Sequence, residues 1–312
     1  MNEKFKVAVL MGGIGSEREI SIQSGICVAE ALRDAGFDVV TADVRPDNLD
    51  ILDDSGIDVF FPALHGEFGE DGQIQQILQD KELVYTGSGP NACRLAFDKI
   101  ASKKLFNKIG VATPAAIEFN AQIDIKQLEE QLRHLADEYV VKPVRQGSSV
   151  GVRIIDNVQD AVKAAEVTLD EFGNCMIERF IPGREITVGV LDGVALPIIE
   201  IRIQTGFYDY QAKYVNEQTE YLFDTIMEPA LTTRINKAAM DCFHVLGCRH
   251  FARVDFILSE EEIAYVLEVN TIPGFTTHSL LPKAGEKAGF PMSALCSEIV
   301  EAAYSQLVKR QV

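Results

Sequence analysis

Two acidic residues and an amide in the last fifth of the chain have the spacing of a cation site. Asp255 lies in the run ARVDFIL, and Glu268 and Asn270 lie in the run YVLEVN. Both runs alternate apolar and polar residues with period two, which predicts two β-strands whose polar faces carry these residues together with Arg253. Carboxylate and amide oxygens suit a hard cation such as Mg2+, which shares its remaining positions with waters and substrate phosphates. A nucleotide is therefore the expected companion of this site.

The connection between the two runs sets which residues face each other. Residues 259–262 suit a four-residue hairpin loop, which predicts Arg253 opposite Glu268 and Asp255 opposite Val266. The other face is then filled by apolar side chains: Val254, Phe256, Leu267 and Val269. An ordinary salt-bridged sheet face is the alternative. The break TIPG directly after the second strand favours a site, because it brings flexible backbone next to the acidic residues.

A second loop has the composition of a phosphate site. A strand ends at Lys142 and the loop PVRQGSSVG follows, with residues 150–155 predicted to return as a second strand. The backbone N–H groups of such a loop and the hydroxyls of Ser148 and Ser149 can approach polyphosphate closely, and Lys142 adds a positive charge. GxxxxGK[ST] is absent, so this is not a Walker loop. A plain hairpin is the alternative.

The amino-terminal segment predicts the start of an α/β domain. Residues 6–10 form a buried type of strand, and a glycine turn and a helix to about residue 35 follow. A dinucleotide-binding fold would use such a turn with an acid like Asp43 after the next strand. The glycines do not form GxGxxG, however, and Glu17 lies where a pyrophosphate would bind. Glu17 suits an ammonium group instead; a simple helix-dipole effect of about 0.3–1 kcal/mol is the alternative.

Two further segments are predicted to be a crossing between domains and a lid over the site. The run MIERFIPGRE contains Pro and Gly within a strand-like stretch, which indicates a hinge. In a cleft at that hinge, Phe180 and Ile181 could flank an adenine while Glu178 and Glu185 bind its amine and ribose hydroxyls. The loop GFYDYQAKY, residues 206–214, has the mixture of aromatic and polar residues typical of a segment that closes over a site.

Composition limits the class of protein. The chain has 312 residues and 47% hydrophobic content, which is enough for two or three domains, and its formal charge of -18 argues against nucleic acid or a membrane surface as the main partner. The 6 cysteines have no CxxC spacing, so neither a disulfide framework nor a zinc site is expected. The apolar run at residues 7–11 is too short for a signal segment or a membrane span, so a cytoplasmic protein is expected.

Seven segments in order along the chain resemble the D-alanine–D-alanine ligases of the ATP-grasp superfamily. They are GGIGSEREIS, HGEFGEDG, YTGSG with FDK, VVKPVRQGSSVG, YDYQAKY, ARVDF, and EVNTIPG with HSL. The resemblance spans essentially the whole chain and implies an α/β ATP-grasp fold of three α/β domains. These would be a Rossmann-like domain at residues 1–87, a central domain at 88–181 and a carboxy-terminal domain at 182–312, with ATP between the last two. It also implies a homodimer.

The resemblance implies a role for each matching residue. Lys99 and Lys142 would bind the phosphates of ATP, and Ser148 and Ser149 would lie in the loop that covers the γ-phosphate. The nucleoside would be bound by Glu178, Ile181 and Glu185. Two Mg2+ ions, which Mn2+ could replace, would be held by Asp255, Glu268 and Asn270. The first D-alanine would be bound by Glu17 and His65, and the second by Lys213, Ser279 and Leu280. The oxyanion would be stabilised by Arg253 and the Gly274 amide, and Tyr214 would lock the closed lid to Ser148 and Glu17.

The implied reaction is the ligation of two D-alanines for peptidoglycan precursor synthesis. A carboxylate is a poor electrophile, so the first D-alanine must attack the γ-phosphate of ATP to give D-alanyl phosphate and ADP. The amine of the second D-alanine then attacks that carbonyl, and phosphate leaves. An acyl phosphate is sensitive to water, which explains the need for a lid.

Departures and alternatives remain. Gln146 stands where family members often carry Glu, and residues 216–228 match poorly, so the lid and the wall of the second subsite are open. The alternatives are a ligase that joins D-alanine to D-lactate or D-serine, another ATP-grasp carboxylate–amine ligase, and a nucleotide-binding regulatory protein without catalytic activity. Tyr214 on the lid favours the plain dipeptide.

Overall fold

The computed structural model describes residues 5–203 and 219–310, and within them the chain builds three β-sheets. Each sheet is formed by one continuous part of the sequence, and helices cover it. The domain boundaries at residues 87 and 181 stay a prediction from the sequence. The strands of the first sheet precede residue 87, those of the second lie between residues 87 and 181, and those of the third follow residue 181.

The first sheet is parallel, with strand order β2-β1-β3. Its strands are β1 (Lys6–Gly12), β2 (Asp38–Val44) and β3 (Val59–Pro62), and its helices are α1 (Arg18–Asp34) and α2 (Gln73–Asp80). The predicted strand at residues 83–86 is reduced to a single parallel bridge between Phe60 and Tyr85. The chain leaves the sheet there, because Gly87 has a positive φ of 84°.

The second sheet has strand order β4-β7-β5-β6 and is antiparallel. Its strands are β4 (Ala116–Phe119), β5 (Tyr139–Lys142), β6 (Arg153–Ile155) and β7 (Cys175–Arg179). Helices α3 (Pro90–Phe97) and α4 (Lys99–Lys108) precede it, and α5 (Ile125–Leu135) and α6 (Val158–Phe172) cover it. Side-chain caps begin three of these helices, since Asp98, Asp124 and Asn157 each accept a backbone N–H of the first turn.

The third sheet has the order β11-β10-β8-β12-β13, with β9 paired to β8. Its strands are β8 (Gly183–Leu191), β9 (Val194–Ala195), β10 (Ile199–Ile203), β11 (Thr219–Leu222), β12 (Phe251–Ser259) and β13 (Ala264–Asn270). Its helices are α7 (Pro229–Leu246), α8 (Leu280–Lys287) and α9 (Met292–Arg310). The predicted helices at residues 232–246 and 292–308 are therefore confirmed.

The register of the β12–β13 hairpin differs from the prediction. Arg253 pairs with Asn270 and Asp255 with Glu268, and a β-bulge follows between Asp255 and Phe256. The bulge adds one residue to β13. Val266 therefore enters the hydrophobic core where Leu267 was expected, and Leu267 turns toward a cleft.

Packing ties the two ends of the chain together. Helix α9 lies against α1, and Ile299 and Val300 join the same apolar cluster as Val7 and Val28. Phe275 makes edge-on ring contacts with Phe61 and Phe251, at 5.5 Å between centroids in both cases. The loop that follows β13 is thus anchored to the first sheet. Within the described part of the chain, no helix has the length and apolar character needed to cross a bilayer.

Candidate active site

Two adjoining clefts lie where the three sheets meet. The larger cleft, of about 850 Å³ with its open mouth included, lies between the second and third sheets. The smaller cleft, of about 620 Å³ on the same basis, is lined by residues from all three. Glu268 lines both clefts, so a group bound in one can contact a group bound in the other.

The larger cleft collects the predicted nucleotide residues. Those that line it are Lys99, Lys142, Ser149, Glu178, Phe180, Ile181 and Glu185. Its walls are largely apolar and include Val140, Val152, Ile257 and Leu267. A partly apolar cleft of this size, with a few polar groups, is suited to an organic ligand such as a nucleotide.

A buried carboxylate shared by two lysines forms the floor of the larger cleft. Glu178 is 2% exposed, its Oε1 accepts a hydrogen bond of 2.5 Å from Lys142 Nζ, and its Oε2 lies 2.8 Å from Lys103 Nζ. Burial opposes the charge on Glu178, but the two lysines more than offset it and hold the pKa of Glu178 below its ordinary value. Lys103 was not predicted as a site residue, because one lysine among several in a helix carries no signal in the sequence.

The glycine–serine loop is held over the larger cleft by main-chain contacts. Lys99 Nζ donates to the carbonyl oxygen of Gln146 at 2.6 Å, and Val144 N donates to Asn174 at 3.0 Å. Ser148 and Ser149 both have positive φ, 51° and 58°. Two consecutive non-glycine residues in that region are unusual and are typical of functional loops. The loop does join antiparallel β5 and β6, but it is far longer than a hairpin turn requires, because residues 150–152 do not join β6.

The three predicted metal ligands lie together on β12 and β13. Asp255 accepts hydrogen bonds from Thr187 Oγ1 at 2.6 Å and Asn270 Nδ2 at 3.1 Å, and Lys99 Nζ lies 3.1 Å from Glu268. Among the described residues, no three His, Cys, Asp or Glu side chains gather as a metal cluster. Two carboxylates and a carboxamide nevertheless fit a hard cation that takes its other ligands from phosphate and water.

Arg253 is bound to one of those carboxylates. Its Nε and Nη2 donate to the two oxygens of Asp255 at 2.9 and 2.8 Å. This bidentate pair orients the guanidinium at the wall of the smaller cleft. A cation at Asp255 would share that carboxylate with Arg253.

The smaller cleft collects the predicted amino-acid and oxyanion residues. Those that line it are Glu17, His65, Ser148, Arg253, Gly274, Ser279 and Leu280, with Asn270 beside them. Glu17 is 8% exposed and makes no side-chain cap to α1; its Oε1 instead accepts a hydrogen bond from the Ser148 hydroxyl. Glu17 is still the N-cap residue of α1, so the helix-dipole alternative remains beside a role in the cleft.

His65 is a neutral, buried member of this cleft. Ser24 Oγ accepts the N–H of Phe275 at 3.2 Å and lies 3.1 Å from His65 Nε2. Burial lowers the pKa of His65 to about 4, so the ring is uncharged at neutral pH. Through Ser24, the ring contacts the same loop that carries Gly274.

Glu70 is a second carboxyl in the smaller cleft that the sequence reasoning missed. Its Oε2 accepts the N–H of Gly66 at 2.9 Å. Burial, with the nearby charge of Glu17, raises the pKa of Glu70 to about 8, so it carries a proton at neutral pH. The motif HGEFGEDG held the signal, but three acids stand in it and only the fold shows which of them enters the cleft.

The loop after β13 requires its glycine. A Cβ on Gly274 would lie 2.7 Å from Ser279 Oγ. Ser279 in turn accepts the N–H of Thr276 at 2.9 Å at the start of α8. The close approach leaves the Gly274 backbone facing the cleft, which is the placement expected for an oxyanion donor.

The dinucleotide alternative is excluded by Asp43. Its two oxygens are bound by Arg18, at 2.9 and 2.5 Å, and this pairing lowers the pKa of Asp43. In a dinucleotide-binding fold Asp43 would bind a ribose, but here both of its oxygens are paired with Arg18. Arg18 also donates to the carbonyl oxygen of Gly13, so the pair stabilises the glycine turn. Lys213, Tyr214 and the whole predicted lid at residues 206–214 lie outside the described residues.

This arrangement defines the class of protein. A nucleotide-sized cleft between two sheets, covered by a glycine–serine loop and set beside a parallel α/β unit, is the architecture of the ATP-grasp proteins. Family models described as D-ala D-ala ligase N-terminus and C-terminus match residues 50–88 and 105–301. The chain belongs to the D-alanine–D-alanine ligase family.

Individual proteins of known name are similar to this chain over almost its whole length. A D-alanine–D-alanine ligase from Syntrophotalea carbinolica is 40% identical over 303 residues, which cover 96% of this chain and 97% of the relative. The crystal structure of D-alanine–D-alanine ligase from Bacillus anthracis complexed with ATP has a TM-score of 0.85 and 33% identity, covering 99% of this chain and 100% of that one. VanG D-Ala:D-Ser ligase from Enterococcus faecalis has a TM-score of 0.83 and 26% identity, covering 96% and 99%.

Proposed function

We propose that this protein joins two molecules of D-alanine into D-alanyl-D-alanine with consumption of ATP and release of ADP and phosphate, for peptidoglycan precursor synthesis. The observation that carries the proposal is the meeting of the two clefts at Glu268. A nucleotide in the larger cleft would present its terminal phosphate to a carboxylate in the smaller cleft. Membership of the D-alanine–D-alanine ligase family supports the choice of amino acid.

ATP would lie in the larger cleft. Lys99 and Lys142 would contact its phosphates, and Ser148 and Ser149 would cover the terminal one. Glu178, Ile181 and Glu185 would bind the nucleoside, with Phe180 against the adenine. The side chain of Glu178 supports this placement, because it is a buried carboxylate that lines the larger cleft, and its Oε2, although 2.8 Å from Lys103 Nζ, has a further lone pair that can accept a hydrogen bond from an adenine amine.

Asp255, Glu268 and Asn270 would hold two Mg2+ ions, for which Mn2+ could substitute. Bound there, the ions would neutralise phosphate charge during transfer. Each carboxylate already forms an ion pair within the protein: Asp255 pairs with Arg253, and Glu268 pairs with Lys99. These ion pairs hold both carboxylates at the boundary between the two clefts.

The first D-alanine would lie in the smaller cleft, with its ammonium at Glu17 and its carboxylate near His65 and Arg253. The carboxylate attacks the γ-phosphate to form D-alanyl phosphate. The second D-alanine, bound by Lys213, Ser279 and Leu280, then attacks with its free amine. Arg253 and the Gly274 amide would stabilise the oxyanion of the tetrahedral adduct until phosphate leaves. Tyr214 would close the lid onto Ser148 and Glu17.

One assay tests the proposal. Purified protein with ATP and Mg2+ is supplied with D-alanine, L-alanine, or D-alanine together with D-serine or D-lactate, and phosphate release and product mass are measured. We expect phosphate release with D-alanine, none with L-alanine, and the mass of D-alanyl-D-alanine as the main product. A mixed product with D-serine would assign the specificity suggested by the likeness to the VanG ligase. ATP binding without phosphate release would point to a regulatory nucleotide-binding protein.

We also propose that the protein is cytoplasmic and homodimeric, with the domain boundaries at residues 87 and 181. The supply of ATP and the six free thiols support a reducing compartment. Sedimentation of the purified chain tests the oligomeric state, since a dimer has twice the mass of the 34.4 kDa monomer.

A further inference from the structure

Lys103 is a buried cation that the proposed reaction does not use directly. It lies on α4 and is 4% exposed. Its Nζ donates to Thr113 Oγ1 at 2.7 Å and to the carbonyl oxygen of Pro114 at 2.8 Å, and it lies 2.8 Å from Glu178 Oε2. An ammonium group has three hydrogens, so these three neighbours account for all of them. Lys103 therefore has no donor left for a phosphate.

The hydroxyl of Thr113 connects Lys103 to the third sheet through a second hydrogen bond. An ammonium cannot accept a hydrogen bond, so Thr113 Oγ1 must be the acceptor from Lys103 and use its own hydrogen elsewhere. It donates to the carbonyl oxygen of Val266 at 2.8 Å, and Val266 N donates to Ala112 O at 2.9 Å. Val266 is next to the bulge that turns Leu267 into the larger cleft. Lys103 thus joins the floor of the cleft to the strand that carries Glu268.

The charges around Glu178 do not cancel. One carboxylate faces two ammonium groups, Lys142 at Oε1 and Lys103 at Oε2, and all three side chains are buried. Burial lowers the pKa of Lys103, and the carboxylate of Glu178 opposes that shift. With Lys103 present, one net positive charge remains in the group. Without it, Lys142 and Glu178 would form a neutral pair.

We propose that Lys103 is a positioning residue that shares Glu178 with Lys142 and so leaves the charge of Lys142 available to the nucleotide phosphates. The inference rests on the proposed placement of ATP in the larger cleft. Its distinguishing consequence is a dependence on phosphate charge. Loss of the Lys103 charge must weaken ATP more than ADP, and ADP more than adenosine, since adenosine carries no phosphate.

The test measures equilibrium binding of ATP, ADP and adenosine to the full chain by calorimetry, without D-alanine so that no turnover occurs. In Lys103→Met we expect ATP affinity to fall by about ten- to a hundredfold while adenosine affinity changes by less than about threefold. Lys103→Arg keeps the charge and should hold the ratio of ATP to adenosine affinity near that of the unmodified protein. Lys103→Gln, which retains an N–H donor for Thr113, replaces the methionine variant if that variant fails to fold.

Two further variants separate charge from structure. Thr113→Val breaks the link to Val266 but keeps the Lys103 charge, so the affinity ratio should not change. In a Glu178→Gln background, Lys142 no longer has a carboxylate to neutralise it, so adding Lys103→Met should alter the ratio far less than it does alone. Equal weakening of all three ligands in Lys103→Met, or an unchanged ratio, would overturn the inference. Failure of the unmodified protein to bind either adenosine or ATP would instead overturn the proposed function.

Discussion

Ser148 donates its hydroxyl hydrogen to Oε1 of Glu17, and this bond joins the glycine–serine loop of the second sheet to the N-cap residue of α1. The two residues are 131 positions apart in the chain. Gly147 permits the contact, because a Cβ there would lie 3.1 Å from Glu17 Oε2. The loop expected to cover the phosphate is thereby connected to the carboxylate expected to bind the amino acid. If these roles hold, the bond couples the loop proposed to cover ATP to the proposed amino-acid site.

Glu17→Gln separates the charge of that carboxylate from its hydrogen bond. The amide oxygen can still accept from Ser148, but the negative charge that would hold an ammonium is lost. A charge-assisted hydrogen bond is worth about 1.5–3 kcal/mol, so the KM for D-alanine at the first subsite should rise about ten- to a hundredfold. The KM for ATP should change little. Steady-state kinetics with each substrate varied in turn would show this split.

Glu19→Gln is the matched control, because Glu19 lies in the same helical turn and is exposed. It removes the same charge from the helix end without entering the cleft. Near-normal kinetics are expected for it. An equal rise of the KM for D-alanine in both variants would mean that Glu17 acts only through the helix dipole.

The architecture could be predicted from the sequence because its signals are local. Period-two runs, the glycine turn after β1 and the Pro-Gly crossing before β8 placed the main elements to within a few residues. The register of β12 and β13 could not be predicted, because a bulge depends on how Val266 and Leu267 compete for the core. The face carrying Asp255 and Glu268 was still predicted correctly, because the partner of Arg253 changes by two residues, from Glu268 to Asn270, and side chains two residues apart in a strand lie on the same face.

The site residues that were missed depend on burial. Glu70 and Lys103 are ordinary charged residues in the sequence, and neither has a spacing that indicates a site. Their importance comes from the charges that the fold places beside them, Glu17 in one case and Glu178 in the other. Such relationships join distant parts of the chain and leave no periodic signal.

Arg253→Ala should lower turnover about a hundred- to a thousandfold, with little change in the KM for ATP. Arg253 is held by both oxygens of Asp255, so its guanidinium is oriented before substrate arrives. Loss of one oxyanion donor costs about 2.7–4 kcal/mol in other acyl-transfer sites. Single-turnover kinetics measure the effect.

Arg202→Ala is the control, since Arg202 is exposed on β10 and pairs with Glu200, which Arg184 also contacts. Similar losses in both variants would refute the oxyanion role.

Gly12→Ala should destabilise the fold much more than Gly15→Ala. Both glycines have positive φ, 95° and 87°, so each alanine carries a similar backbone penalty of about 1–2 kcal/mol. At Gly12 the new Cβ would also lie 2.1 Å from Asp43 Oδ1, which would break the pair with Arg18, whereas at Gly15 nothing lies within 4 Å. Urea unfolding of the two variants isolates the cost of the clash. Equal losses of unfolding free energy would show that the Arg18–Asp43 pair contributes nothing.

Glu70→Gln should flatten the dependence of the free energy of unfolding on pH between about pH 6.5 and 8. Folded Glu70 keeps its proton up to a pKa of about 8, whereas in the unfolded chain it ionises near its ordinary value of 4.5. The folded state therefore binds more protons between these values, and the free energy of unfolding falls as pH rises through that window.

His65 gives the opposite slope, because its pKa of about 4 lies below the ordinary 6.5, so stability is lost as pH falls from about 6.5 to 4.

The two contributions overlap only below about pH 6.5, which makes the interval from pH 6.5 to 8 the decisive one. There folded His65 is neutral and unfolded His65 is at most half protonated, so its opposite slope is the smaller one, and Glu70 can account for at most about 2 kcal/mol of lost stability. Urea unfolding across that interval should show the loss in the unmodified protein and in Glu67→Gln, an exposed neighbour in the same loop. It should be absent in Glu70→Gln. A slope that persists in Glu70→Gln would assign the retained proton to another group in the smaller cleft.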